Sequence, residues 1–341
     1  MVKSDVLVLG GGPGGYLAAE RAAQGGKKVT LIEKRALGGT CLNEGCIPSK
    51  ALLNSGKLYE HAKESEVFGV TAENVKIDHA KVVERKDKVV KMLVSGVGAT
   101  MKAHGVNVVM AEGVVKGKTE DGFVVTAGGE DYAADKLILA CGSVAVVPPI
   151  PGLREGLAEG FVMTNQEILD MKTVPNHLTV IGGGVIGIEF AGLFATFGTK
   201  VTVIEMAPEI LPGIDTEISS MLRAELAKKG VEFHLSSKVL HVATGCVTYS
   251  DAEGEHKAEA TNVLLCVGRK PNLAGTEALG LEPFRNGIKV DEHMRTSASN
   301  VWAAGDVTAF SLLAHTAVRE AEVAVNDIAG IDDTMHYRAI P

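Results

Sequence analysis

The chain has 341 residues, 46% of them apolar and 22% charged, a composition that supports a large buried core in two or three globular domains. Its 34 Lys and Arg against 42 Asp and Glu give a net charge of −8, which argues against nucleic acid and anionic membrane surfaces as partners. Five cysteines without framework spacing exclude a secreted disulfide scaffold.

The first apolar run, Asp5 to Leu9, is too short for a signal peptide and breaks into glycines without a small-residue cleavage site. A bacterial cytoplasm or a mitochondrial matrix is therefore the expected compartment. Read as a strand, this run leads into Gly10-Gly11-Gly12-Pro13-Gly14-Gly15, a helix from Tyr16 to about Gly25, and a second strand, Lys28 to Ile32, ending on Glu33. That is the strand–turn–helix context of a dinucleotide-binding fingerprint. Residues 38–50 follow directly: Gly-Gly-Thr-Cys-Leu-Asn-Glu-Gly-Cys-Ile-Pro-Ser-Lys. Cys41 and Cys46, with four residues between them and beside a nucleotide site, suggest a disulfide that opens and closes in turnover. Two free thiols or part of a metal site are the alternatives, although the second ligand pair that zinc usually needs is absent and no metal is expected. Bridging requires Cα atoms within about 7 Å, a poor fit to positions five apart on a regular helix, so the segment should be distorted where Gly45 gives room.

A helical stretch is predicted from about Asp78 to His104, then short strands (106–111 and 123–126), then Lys136 to Ala140 running into Cys141-Gly142-Ser143. Pro148, Pro149 and Pro151 mark a linker. A second copy of the opening unit begins at Leu178: a strand to Ile181, Gly182-Gly183-Gly184-Val185-Ile186-Gly187, a helix to about Gly198, and Lys200 to Ile204 ending on Glu205. The run Leu178–Gly198 approaches membrane-spanning length, but its glycines and Glu189 fit strand–turn–helix better. Strands from Val231 to Tyr249 and from Val263 to Val267, leading into Gly268, repeat the first half again. In both copies the acid lies 23 residues beyond the first glycine, and two matched fingerprints are much stronger than one.

Each part has a physical assignment. Gly10 and Gly182 allow the tight turn, Gly12 and Gly184 let the backbone approach a pyrophosphate, and Gly15 and Gly187 let helix and strand pack closely. Glu33 and Glu205 are placed to accept ribose hydroxyls. The bland reading is a pair of glycine-rich turns that bind no nucleotide. A carboxylate at Glu205, followed by Met206-Ala207-Pro208 without arginine, favours NAD over NADP at the second site. The redox cysteines belong to the first unit, so FAD is expected there. Cys141, Cys246 and Cys266 lie in or near apolar strands and are expected to be inert, buried thiols.

These residues resemble a known family, the flavin-dependent pyridine nucleotide–disulfide oxidoreductases, and within it the dihydrolipoamide dehydrogenase branch, over essentially the whole chain. The resemblance rests on residues 38–50, on Thr296–Asn300 with Val301-Trp302-Ala303-Ala304-Gly305-Asp306-Val307, and on Leu313-Ala314-His315. It implies an α/β fold of two Rossmann-like, three-layer ββα dinucleotide-binding domains, the FAD/NAD(P)-binding fold. Residues 1–147 would be the FAD-binding domain, 148–272 the NAD-binding domain, and 273–341 a central segment returning to the first. The implied flavin set is Gly10, Gly12, Pro13, Gly14, Gly15, Glu33, Lys34, Gly39, Thr40, Lys50, Gly113, Ala140, Cys141, Gly142, Ser143, Gly305, Asp306, Leu313, Ala314 and His315. The implied NAD set is Gly182, Gly184, Val185, Ile186, Gly187, Glu189, Glu205, Val239 and Gly268. Cys41 would exchange with the dithiol substrate, Cys46 would lie against the flavin, and Lys50 with Glu189 would form a poorly solvated ion pair that tunes it.

The implied reaction is dihydrolipoamide plus NAD⁺ to lipoamide plus NADH and a proton, with a lipoyl domain of a 2-oxo acid dehydrogenase or glycine cleavage complex as partner. The rivals are another disulfide reductase of the family, such as a glutathione or mercuric reductase, and a non-catalytic FAD-binding fragment. Three departures stand out. Cys141 replaces a usual threonine. Glu44 puts a negative charge between the redox cysteines, which would raise a thiol pKa. The family's C-terminal interface domain, with its dimer contacts and its His–Glu base, is expected to be missing after Pro341, making this a truncated form that binds FAD and NAD(H) but oxidises dihydrolipoamide poorly unless a partner supplies the base. His315 is expected to be structural.

Overall fold

The computed structural model describes residues Met1–Ile340, and its internal contacts divide the chain into two compact units. The first comprises Met1–Cys46, Val90–Val144 and the chain from Lys270 onward; the second comprises Ile47–Val89 and Ala145–Arg269.

The first unit is built on a seven-stranded sheet. Strands β1 (Val2–Leu9), β2 (Val29–Glu33), β3 (Asn107–Met110), β4 (Gly113–Thr119), β5 (Gly122–Ala127) and β6 (Glu130–Leu139) lie in the order β3-β2-β1-β6-β5-β4. Pairing is parallel from β3 through β6 and antiparallel through β6, β5 and β4, and Val301–Ala303 adds a parallel strand beside the end of β6. Period-two alternation divides the buried side chains between two faces. Val6, Val8, Leu31 and Ile138 meet helix α1 (Pro13–Gln24) through its small residues Ala18, Ala19 and Ala22, together with the helix Ala314–Ile328. Leu7, Leu9, Ile32, Leu137 and Leu139 face Val115, Phe123 and Val125 of the antiparallel meander. Three layers result: helices, parallel sheet, meander.

The second unit repeats this scheme. Its parallel strands run in the order Val231–His234, Lys200–Ile204, His177–Ile181, Asn262–Leu265, Val162–Met163. On one face Leu178, Val180, Val201 and Val203 pack against Phe190 and Phe194 of the helix Val185–Thr196. On the other, Ile181, Ile204 and Leu265 pack on the three-stranded meander Lys238–Ala243, Cys246–Asp251, Gly254–Glu259. Leu52 and Val82 join the Phe194 cluster, which is why Ile47–Val89 groups with this unit. Those residues come from helices α3 (Cys46–Lys63) and α4 (His79–Ala103); a short helix α2 (Gly39–Glu44) precedes them. Among the described residues no helix is long and apolar enough to cross a membrane.

The expected strands and the helix 78–104 are present, with two extensions. β1 starts at Val2 because Val2, Lys3 and Ser4 pair with Tyr132, Ala133 and Ala134. α1 starts at Pro13 rather than Tyr16, since proline's fixed φ suits a first helical position.

Candidate functional site

The glycines of the two fingerprints divide by what requires them. Gly10 and Gly182 adopt φ of 106° and 109°, which disfavours any side chain, and a Cβ on Gly182 would lie 2.6 Å from the Cys266 carbonyl oxygen. A Cβ on Gly187 would meet Cys266 Sγ at 2.8 Å, and one on Gly15 would run into the Gly10 carbonyl. These four glycines serve packing and turn geometry. Gly12 and Gly184 differ. Both are extended (φ −71° and −74°), a Cβ on Gly184 would meet nothing within 4 Å, and one on Gly12 would approach only Gly39 Cα, at 3.8 Å. Nothing in the fold requires glycine at either position, and the space beside each is open to a closely approaching ligand. The helices that follow, Pro13–Gln24 and Val185–Thr196, have no side-chain N-cap and no acid in the first turn. Their terminal N–H groups and positive dipole ends suit phosphate.

The acids return to these turns. Glu33 accepts from Gly11 N–H at 2.7 Å and Arg35 N–H at 2.7 Å; Glu205 accepts from Gly183 N–H at 2.5 Å and Ala207 N–H at 2.6 Å. In each copy the carboxylate is fixed against the glycine turn by two backbone N–H groups.

The first unit gathers most of the remaining flavin set. Ala140 to Ser143 follow β6, and the Ser143 hydroxyl donates to Asp306 at 2.5 Å. Gly14 lies against the backbone oxygens of Ala304 and Ala317, so the fingerprint, the Gly305-Asp306 turn and the helix Ala314–Ile328 converge. Lys34 pairs with Glu112 at 3.7 Å. Leu313 and His315 are exposed at the start of that last helix, so the imidazole expected to be structural has no buried role. Two candidates have packing reasons of their own. A Cβ on Gly113 would press on Leu9 and Ile32, and Val239 belongs to the meander core of the second unit. Gly268 has a φ of 116° and open space around it. Burial, with the Glu33 charge adding, pushes the Cys141 thiol up to about 12; burial and Glu205 likewise raise Cys266, which donates to the Gly182 carbonyl at 3.3 Å. Both shifts disfavour the thiolate; Cys141, Cys246 and Cys266 are half-buried, not fully buried as expected.

The redox segment is distorted where the spacing requires it. Gly38 (φ 91°) and Gly39 (φ 55°) start α2, Gly45 (φ −144°, ψ −111°) interrupts it, and α3 resumes at Cys46. The interruption brings the Cα atoms of Cys41 and Cys46 to 4.7 Å, and the two form a disulfide, not a metal site. Cys41 is half-buried and Cys46 exposed. A Cβ on Gly39 would lie 2.6 Å from Gly12 Cα, so Thr40 and Cys41 begin directly on the fingerprint turn. Asn43 pins this approach, donating to the Leu37 and Gly39 carbonyls at 2.9 Å each. The charge expected from Glu44 is met by an ion pair with Arg35 that the sequence reading missed. In the second unit Lys50 donates to Glu189 at 2.6 Å. The expected pair forms, but the Lys50 side chain is 60% exposed, because α3 buries Ser49, Ala51 and Leu52 and turns Lys50 outward.

A family model for pyridine nucleotide-disulphide oxidoreductases matches residues 4–326. A dihydrolipoyl dehydrogenase of Acholeplasma laidlawii is 44% identical over 328 residues, 96% of each chain, and one of Geobacillus stearothermophilus is 41% identical over all of this chain and 73% of its own. Among solved structures, LpdA from Mycobacterium tuberculosis aligns with a TM-score of 0.88 at 25% identity, over all of this chain and 75% of that one. The HOCl-induced flavoprotein disulfide reductase RclA of Escherichia coli aligns with a TM-score of 0.85 at 26% identity, over 98% and 73%. Paired fingerprints, a disulfide seated on the first of them and these relatives agree: the chain belongs to the pyridine nucleotide-disulphide oxidoreductase family, as a homologue of dihydrolipoyl dehydrogenases.

Proposed function

We propose that this chain oxidises dihydrolipoamide with NAD⁺, holding FAD in the first unit and NAD in the second. The observation that carries the reading is the Cys41–Cys46 disulfide, placed by Gly39 against the Gly12 turn of the first fingerprint. One substrate thiol, its proton released to solvent, attacks Cys41 Sγ as thiolate; the Cys41–Cys46 bond breaks and Cys46 leaves as thiolate. The second substrate thiol, likewise deprotonated, attacks the substrate's first sulfur in the mixed disulfide, closing lipoamide and releasing Cys41 as thiolate. When bound, FAD would supply the two-electron relay from the reduced cysteine pair, whose disulfide re-forms, to NAD⁺.

The chain's own groups have separate tasks. The N-terminal turn of α1 and Gly12 hold the flavin pyrophosphate, Glu33 the ribose, and Asp306, oriented by Ser143, the ribityl hydroxyls. Gly184 and the helix it opens hold the NAD pyrophosphate, and Glu205 its unmodified ribose. Lys50, paired with Glu189, supplies a positive charge four residues beyond Cys46 on α3. A lipoyl domain of a 2-oxo acid dehydrogenase complex would present the dithiol, in a bacterial cytoplasm. A second reading, reductase of a different disulfide, is favoured by the likeness to RclA.

Anaerobic titration of the flavin-loaded protein separates these. Stoichiometric bleaching of flavin absorbance by dihydrolipoamide, read at equilibrium and reversed by NAD⁺ rather than NADP⁺, is the expected result. A flavin that NADH reduces but dihydrolipoamide leaves oxidised would sink the dithiol reading, and preference for NADPH would point to the alternative reductase.

A further inference from the structure

The helix Ala314–Ile328 buries a stripe of small residues, Ala317, Ala321 and Ala324, against the first unit, and a glutamate interrupts that stripe. Glu320 is fully buried. Burying a carboxyl is strongly unfavourable unless its oxygens are engaged, and both of these are. One accepts from Gly305 N–H at 2.5 Å and the other from the Tyr337 hydroxyl at 2.7 Å. Gly305 has φ 85° and opens the tight turn Asp306–Thr308, and the Thr308 hydroxyl and N–H both return to its carbonyl, at 3.0 and 2.9 Å. Asp306 is the next residue, and Ser143 fixes its carboxylate from the other side.

We propose that Glu320 is a positioning residue for the Gly305-Asp306 turn, its carboxyl setting the direction in which Asp306 presents itself to a flavin ribityl chain. The inference rests on the flavin reading of the first unit and deepens it. The buried neighbours at 317, 321 and 324 are all alanine, so the stripe itself gives no reason for an acid. The Gly305 N–H supplies one: without Glu320 this buried donor loses its partner, and the turn loses the contact that ties it to the helix. Burial, with the Asp306 charge adding to it, pushes the Glu320 carboxyl up to about 7, consistent with a group held for its geometry. Tyr337 holds the second oxygen and is itself ordered by a stack of aromatic rings, lying 4.7 Å from Phe310, which lies 4.6 Å from Phe284.

The test compares the full chain with Glu320→Gln, Glu320→Leu and Tyr337→Phe, reading FAD affinity by fluorescence and ribityl geometry by visible flavin circular dichroism. NADH binding at the second site controls for folding. Glu320→Leu should weaken FAD binding by about tenfold to a hundredfold and change the flavin dichroism, while NADH binding stays intact. Glu320→Gln keeps an acceptor for Gly305 and should stay within about threefold of wild type; Tyr337→Phe should lose roughly threefold to tenfold. Wild-type affinity and dichroism in Glu320→Leu overturn the inference. Should that variant not fold, Tyr337→Phe decides, and unchanged affinity and dichroism there overturn it. A wild-type protein that takes up no FAD overturns the flavin reading itself, a result distinct from either.

Discussion

At the residue scale, the informative contrast lies between two glycines of one motif. Gly187 is required by contacts already present, with Cys266 Sγ and the Gly182 carbonyl in the space a methyl would take, whereas Gly184 is surrounded by open space in an extended conformation that alanine adopts freely. Gly187→Ala should therefore lower the melting temperature by several degrees, since overpacking typically costs about 1–3 kcal/mol. Gly184→Ala should leave the melting temperature where it is and raise the NADH dissociation constant about tenfold or more, because the methyl would occupy the pyrophosphate's place. Calorimetry and NADH fluorescence titration on the two variants check this, and equal effects of both on stability would remove the argument. Arg35 makes a separate case. Its guanidinium pairs with Glu44 next to the redox cysteines, so Arg35→Gln should remove a compensating positive charge there and disfavour the thiolates. Alkylation of the reduced protein by iodoacetamide at pH 7 should slow a few-fold.

At the element scale, His79 near the start of α4 tests how that helix is seated. Its ring packs on Phe194 and Phe197 with centroids 5.9 and 5.4 Å away, one nitrogen donates to the Met171 carbonyl at 3.0 Å, and Nδ1 has no partner among the described residues. Protonation would place a new N–H against aromatic rings, and burial lowers the imidazole pKa accordingly. The folded form thus favours neutral histidine. Its contribution to stability is complete above the unfolded pKa of about 6.5 and is lost as the pH falls below it. The melting temperature should drop between pH 7 and pH 5, and His79→Leu should flatten that dependence. What the sequence made legible follows from the range of the forces involved. The parallel strands and both fingerprints are local patterns, and the break at Gly45 follows from disulfide geometry alone. The Arg35–Glu44 pair, the outward turn of Lys50 and the attachment of Ile47–Val89 to the second core depend on which helix face meets a distant surface. Glu320 left a trace, one acid on an alanine stripe, but its partners Gly305 and Tyr337 lie on either side of it in sequence and only the fold unites them.

At the scale of the whole molecule, the chain is one architectural idea used twice, and the duplication makes a prediction that neither copy makes alone. Glu33 and Glu205 hold equivalent places, each carboxylate accepting from the second glycine of its own fingerprint. Only the first copy has the Cys41–Cys46 disulfide seated on its turn, and only the first receives the Gly305-Asp306 turn beside Gly14. If the copies hold different nucleotides for that reason, Glu33→Gln should weaken FAD about tenfold and spare NADH, and Glu205→Gln should do the reverse. The acid also repels a 2′-phosphate, so Glu205→Gln should narrow the preference for NADH over NADPH as well. Parallel titrations of both cofactors against both variants decide it. Loss of both nucleotides in both variants would mean that the glutamates act only through folding of their turns. Crossed effects, with Glu33→Gln losing NADH, would reverse the assignment of flavin to the first unit.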